Sequence, residues 1–392
     1  MPCRSRVPVT STTVAYARML TFILGSDQPA TTAYGFDKGG TLEPDHCLAV
    51  VRRPRVSVAI ASYNYGRYLG DCVRSALSQE GVNLEVVIVD DASTDNSVAV
   101  ASALAAEDDR VRLITHRKNA GHIATFNESL STCSGEYVVK LDSDDMLTPG
   151  SLVRSAALLD AHPNVGLVYG FPVTFTDALP LTSNRVRSWK VWKGSDWISI
   201  VCRRGRNCIM QPEAVVRTAV LRCVGLHRAD CPQTHDMNLW LRIAATSDVG
   251  RINGPGQGYY RIHDASLLRT RFAGMLTDLT ERRRAFDLFF EEVDGHSVGQ
   301  WRRVAHRELA REALGHAISA YARGAVDLEP VDGYIGFATE TFPDARGLRE
   351  WRALQRRRRR GKDHIDRSAR GRELMRDLKY RWQWRRWRWS GV

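Results

Sequence analysis

Four short apolar runs, each followed by a stretch of helical spacing, constrain the fold of this 392-residue chain more than anything else in it. The runs lie at 56–61, 84–89, 111–114 and 136–141, and they are rich in Val, Ile and Leu. Runs of this kind with little polar alternation read as strands buried on both faces. Between them, Leu69, Val73, Ala76 and Leu77 give the segment 68–79 one apolar stripe. Ser93-Thr94-Asp95 supplies a cap for a helix over 96–106, and 123–131 reads as a third helix. Strand and helix alternating over short connections predict an α/β fold, a mostly parallel sheet flanked by helices with right-handed crossovers.

The rest of the chain extends this frame. A helix is expected from Pro149 to His162, then strands at 165–170 and 214–216 and a short helix at 218–223. A helix opening at His235 and a last strand at 259–263 follow, while 171–207, with Trp189, Trp192 and Trp197, reads as irregular. Four regions result: a poorly ordered extension (1–54), the α/β domain (55–270), a helical C-terminal region (271–350) and a basic tail (351–392). The eight cysteines contain no Cys-x-x-Cys pair, so reduced structural thiols and a reducing compartment are expected. The longest apolar candidate near the start, 19–24, is far shorter than the roughly 20 residues of a membrane span. A cytoplasmic protein is expected.

Open α/β sheets bind ligands beyond the carboxyl ends of their strands. Polar residues cluster at that edge here: Ser62-Tyr63-Asn64, Asp90-Asp91, Arg117-Lys118-Asn119, and Asp142-Ser143-Asp144-Asp145. No Gly-x-Gly-x-x-Gly and no P-loop follows the first strand, so the phosphate cradles of dinucleotide and ATP sites are excluded. Three carboxylates within four positions repel one another unless a cation lies among them. A divalent Mg²⁺ or Mn²⁺ ion is one solution, and a solvated acidic turn is the other.

The pieces Val-Ser-Val-x-Ile-x-Ser-Tyr-Asn (56–64), Val-Ile-Val-Asp-Asp-x-Ser-x-Asp (87–95), Asn-x-Gly (119–121), Gly-Glu-Tyr-Val-Val-x-Leu-Asp-Ser-Asp-Asp (135–145), Asp-x-x-x-Trp-x-Arg (236–242) and Tyr-Arg-x-His (260–263) occur in order. Together they make residues 56–266 resemble the family 2 glycosyltransferases of GT-A fold. The resemblance implies transfer of a sugar, with inversion and with Mg²⁺ or Mn²⁺, from a nucleotide-diphosphate donor to an acceptor. A UDP-sugar is the preferred donor, and the acceptor a sugar, lipid-linked or glycoconjugate hydroxyl, as in polysaccharide or cell-envelope synthesis.

It also implies roles. Tyr63 would stack on the donor base, Asp90 and Asp91 would accept a base N–H or a sugar hydroxyl, and Lys118, Asn119 and Gly121 would bind the nucleotide sugar, with Lys118 approaching the diphosphate. Asp142 would lie toward the ribose, and Asp144 would ligate the metal, with Asp145 and His263 completing its shell. Asp236 would act as general base. The family more often has Glu-Asp where this chain has His235-Asp236.

The formal charge is +12, and the stretch 351–392, with 16 Lys/Arg and 4 Asp/Glu, accounts for all of it. Arg356 to Arg360 form a block, and Trp382, Trp384, Trp387 and Trp389 alternate with arginines. Such a tail suits the interface of an anionic membrane, or else is simply solvated. Nucleic acid is not expected as a partner, because the body is charge-balanced. A catalytically silent binding or scaffold protein of the same fold is the alternative to an enzyme, and nucleic-acid binding through the basic tail is a more distant one.

Overall fold

The structure, a computed structural model, describes residues 41–42, 52–263 and 274–361. After β1 (Thr41–Leu42) the expected alternation runs β2 (Arg55–Ser62), α1 (Gly66–Leu77), β3 (Asn83–Asp90), α2 (Ser97–Glu107), β4 (Val111–Thr115), α3 (His122–Thr132) and β5 (Tyr137–Asp142). Then come β6 (Met146–Leu147), α4 (Ser151–Ala161), β7 (Val165–Tyr169), β8 (Pro172–Phe175), β9 (Ser188–Trp192) and α5 (Gly194–Arg204). β10 (Val215–Arg217), α6 (Thr218–Val224), α7 (His235–Thr246), β11 (Asp248–Asn253) and β12 (Gly258–Arg261) complete the α/β part. Four helices follow: α8 (Met275–Glu292), α9 (Val298–Arg323), α10 (Val331–Thr341) and α11 (Arg349–Arg360).

The main sheet has the order β1-β9-β11-β7-β10-β5-β2-β3-β4. Its strands share one direction except β9 and β10, which run against their neighbours. Period-2 geometry explains why the central strands are apolar throughout. In β2, Val56, Val58 and Ile60 pack with Leu69 and Val73 of α1 on one side. Ala59, between them, faces the core built on α3, α5, α7 and the C-terminal helices. Val58, Ala59 and Ile60 are all fully buried.

A second sheet, β6-β12-β8, is small but decides where the site forms. β12 pairs antiparallel with β6, Gly258 opposite Leu147 and Tyr259 opposite Met146. Residues just after β12 are thereby brought beside the acidic turn just before β6.

Three expectations need correction. The segment 171–207 is not irregular: it holds β8, β9 and α5, and Trp189, Trp192 and Trp197 are buried core residues. β11 was not expected at all, and it lies between β7 and β9. Residues 351–360 are not tail but part of α11, whose Leu354 is fully buried in the same core as α7 and α9. The tryptophan-rich stretch and most of 1–54 lie outside the described residues. Among the described residues, no helix is long and apolar enough to cross a membrane.

Candidate active site

Register places the polar residues at one edge. Ser62 at the end of β2 is level with Asp90 of β3, Ala61 with Asp142 of β5, and Asp90 with Thr115 of β4. The turns leaving β2 and β3 are laced together: Asn64 Oδ1 accepts from the Thr94 amide at 2.8 Å, and the Asn64 amide donates to Ser93 Oγ at 2.9 Å. Asn64 and Ala92 have φ of 58° and 59°, the left-handed region that few side chains occupy without cost. Tyr63, between these turns, is 44% exposed and so keeps its ring free to face a ligand.

Asp90 and Asp91 sit side by side and do different things. Asp90 is buried, and its carboxylate accepts from the Ser93 amide and hydroxyl at 2.9 and 2.7 Å. Both of its oxygens are thus committed to its own turn. Asp91 accepts from the Ala120 amide (2.7 Å), the Gly121 amide (2.9 Å) and His116 Nδ1 (2.7 Å). Burial opposes its ionisation, but the amide of Ala120 and His116 outweigh it and hold its carboxyl below the usual range. Asn119 donates to the Asp91 carbonyl at 3.2 Å. Asp91 therefore fixes the 116–121 loop. Gly121 opens α3 with φ of 89°, a conformation that asks for glycine. Lys118 is exposed on that loop.

The acidic turn is held by β12. Asp145 is 1% exposed, and its Oδ1 accepts from the Arg261 amide at 2.9 Å. The Arg261 guanidinium donates to the Asp144 carbonyl at 2.9 Å. His263 Nε2 lies 2.8 Å from Asp144 Oδ2, with the rings of Tyr65 and Tyr68 against the imidazole. Burial, then the neighbouring carboxylates, pushes the Asp145 carboxyl well above its ordinary value, and burial and Asp142 push that of Asp144 up as well. The second oxygen of Asp145 is buried without a hydrogen-bond partner. Carboxylates crowded in this way, with an imidazole nitrogen on the rim and an oxygen left over, are the donor set a hard divalent cation takes. The residues present therefore fit Mg²⁺ or Mn²⁺.

Lys140, on β5, is a residue the sequence did not bring forward. It is 6% exposed, its Nζ donates to Asp142 Oδ1 at 3.0 Å, and it lies over the Phe126 ring at 3.8 Å. Burial favours its neutral form, but Asp142 and Asp236 together keep it protonated. The ammonium is thus bonded to Asp142 and electrostatically favoured by Asp236, some ninety residues on in sequence.

Asp236 stands in the first turn of α7. Its Oδ1 lies 2.8 Å from His235 Nδ1 and 3.9 Å from His227 Nδ1, and its side chain keeps 21% exposure. Burial works against its charge, but His235 and Lys140 outweigh burial and hold the carboxyl far below the ordinary range. The helix N-terminus acts in the same sense. Arg242, one face down the helix, is buried and donates to the carbonyls of Val224, Gly225 and Leu226. It anchors the loop that carries His227, which explains the spacing of Asp236 and Arg242 as a positioning device.

Residues 57–221 match the family model described as glycosyl transferase family 2. EpsE of Bacillus subtilis (strain 168) is 37% identical over 193 residues, covering 48% of this chain and 66% of that protein. The glycosyltransferase GlyG of Streptococcus pneumoniae serotype 4 is 34% identical over 119 residues, 30% of this chain and 40% of that one. Among solved structures, S. aureus TarS 1–349 in complex with UDP-GlcNAc superposes with a TM-score of 0.54 at 16% identity, covering 78% of this chain and 92% of TarS 1–349. That likeness concerns the fold. The stretch 57–221 thus belongs to glycosyl transferase family 2, and the α/β body that holds it has the GT-A fold.

Proposed function

We propose that the chain transfers a sugar from a nucleotide-diphosphate sugar to an acceptor hydroxyl by single displacement with inversion. The observation that carries the reading is Lys140. Its ammonium bonds Asp142 beside the acidic turn, and Asp236, in this reading the acceptor's base, also favours its charge, which supports the reading. Donor and acceptor halves of the reaction would then fall within one charged site.

In this reading Tyr63 stacks on the base, a contact that selects no base in particular. Asp91, with Asp90 behind it, holds the loop of Lys118, Asn119 and Gly121 along the nucleotide. Asp142 lies toward the ribose. Asp144 and His263, with Asp145 beneath, would hold Mg²⁺ or Mn²⁺. When bound, such an ion supplies positive charge to the departing diphosphate. Asp236 takes the acceptor's proton as the hydroxyl attacks the anomeric carbon. His235 and Lys140 hold it in the carboxylate form. A UDP-sugar is the favoured donor, and a growing polysaccharide or cell-envelope glycan the favoured class of acceptor.

Proton NMR of the product formed from an α-linked nucleotide sugar tests the mechanism: a β-linked product is expected, and an α-linked one contradicts single displacement.

The arginines of α11 at 356 and 358–360 are exposed, and in sequence they precede the tryptophan-rich stretch. We propose peripheral contact with an anionic membrane surface through both. Because Leu354 belongs to the core, the informative truncation is after Gly361, not before Trp351. The shortened protein should fold normally and lose most of its sedimentation with anionic vesicles in low salt. Equal sedimentation removes the tail from the account.

A further inference from the structure

Next to the acidic turn, but separate from it, three donor atoms converge: His227 Nδ1, His235 Nδ1 and Asp236 Oδ1. The two imidazole nitrogens are 2.8 Å apart, and the carboxylate oxygen is 2.8 and 3.9 Å from them. His227 and His235 are buried, at 5% and 6% exposure. Asp236 Oδ1 is itself buried, and despite its closeness to His235 it has no hydrogen bond of acceptable geometry. Three lone-pair atoms thus point into one small space, and a single shared proton satisfies two of them at most.

We propose that His227, His235 and Asp236 form a second divalent-cation site, selective for an imidazole-preferring ion of the Zn²⁺ class, and that filling it stops transfer. The geometry is close to what such an ion needs. With metal–nitrogen and metal–oxygen distances of ~2.0–2.1 Å, tetrahedral donors stand about 3.3 Å apart. The three observed separations bracket that value, so side-chain movements of a few tenths of an ångström suffice. Two imidazoles and one carboxylate leave the fourth position open to water or an acceptor hydroxyl. Their nitrogen content separates them from the acidic turn, whose oxygen-rich set suits Mg²⁺ or Mn²⁺. Lys140 does not compete for the space, being bonded to Asp142.

The cation site stands on the geometry alone, whereas its inhibitory effect rests on Asp236 being the base. An ion on Oδ1 uses the electron pair that would receive the acceptor's proton. His227 is the ligand that can be changed with the Asp236 carboxylate left in place, so it is the position at which the two functions are best separated.

The test uses the full chain with Asp144→Asn as background, which weakens the acidic-turn site. Titration with Co²⁺ should give the intense visible absorption of a four-coordinate ion at one equivalent, displaced by Zn²⁺. His227→Gln should weaken that binding at least tenfold. Asp236→Asn, which alters a partly exposed side chain, is the second variant and should also weaken it at least tenfold, should His227→Gln not fold. In the native background with Mn²⁺ present, Zn²⁺ should inhibit transfer, and His227→Gln, compared with its own turnover without Zn²⁺, should need at least tenfold more Zn²⁺ for half-inhibition. Absence of the absorption, or absorption indifferent to both substitutions, overturns the site. Binding without inhibition supports the site and contradicts Asp236 as the base.

Discussion

Asp236→Asn lowers transfer at saturating donor by about 10²–10⁴-fold, the usual contribution of a positioned general base, and leaves donor affinity unchanged. The substitution keeps the shape of the side chain and its place in the first turn of α7, and it removes only the negative charge and proton affinity. Lys140 stays paired with Asp142, so the acidic turn is undisturbed. Steady-state transfer with titrated donor, together with equilibrium donor binding, checks this. Loss of donor affinity with transfer intact at saturation would place Asp236 on the donor side and leave the base elsewhere.

Asp144→Asn acts on the other half. It removes the carboxylate oxygen that stands 2.8 Å from His263 Nε2, and with it a ligand that would hold the cation. Charge stabilisation of a leaving diphosphate by a bound ion is worth several kcal/mol, so turnover should fall by about a hundredfold or more. Donor binding should lose its dependence on Mn²⁺. In metal-free protein the same change relieves crowding among Asp142, Asp144 and Asp145, so the melting temperature should rise, not fall. Stability gained where function is lost is what a site built on crowded like charges predicts. Turnover unchanged in excess Mn²⁺ would remove Asp144 from the metal assignment.

The central strands were legible in the sequence because burial on both faces leaves little room for anything but Val, Ile and Leu. β8, β9 and β11 were not, for identifiable reasons. Pro172 opens β8, and proline argues against a strand. In β9 the buried tryptophans are separated by Lys190, and in β11 the buried Arg251 stands where a core residue is expected. The site divides in the same way. Tyr63, Asp91 and the 142–145 turn were visible because each follows a recognisable strand. Asp90's commitment to Ser93 was not, since an acidic pair looks the same whichever member faces the ligand. Lys140 was hidden inside an apolar run, its partners being Asp142 and a residue far along the chain. His227 lies in a loop, and only the tertiary fold, with Arg242 holding the preceding carbonyls, brings it to His235.

Thermal unfolding with a panel of nucleoside diphosphates and nucleotide sugars, each with and without Mn²⁺, tests the central claim most directly. A ligand at a hundred times its dissociation constant adds about 2.7 kcal/mol to stability. At about 2–4 °C per kcal/mol for a domain of this size, the expected rise is several degrees. The account predicts that rise for one nucleotide class, with Mn²⁺ only, and its disappearance in Asp144→Asn. No stabilisation by any nucleotide sugar in the presence of Mn²⁺ would contradict it.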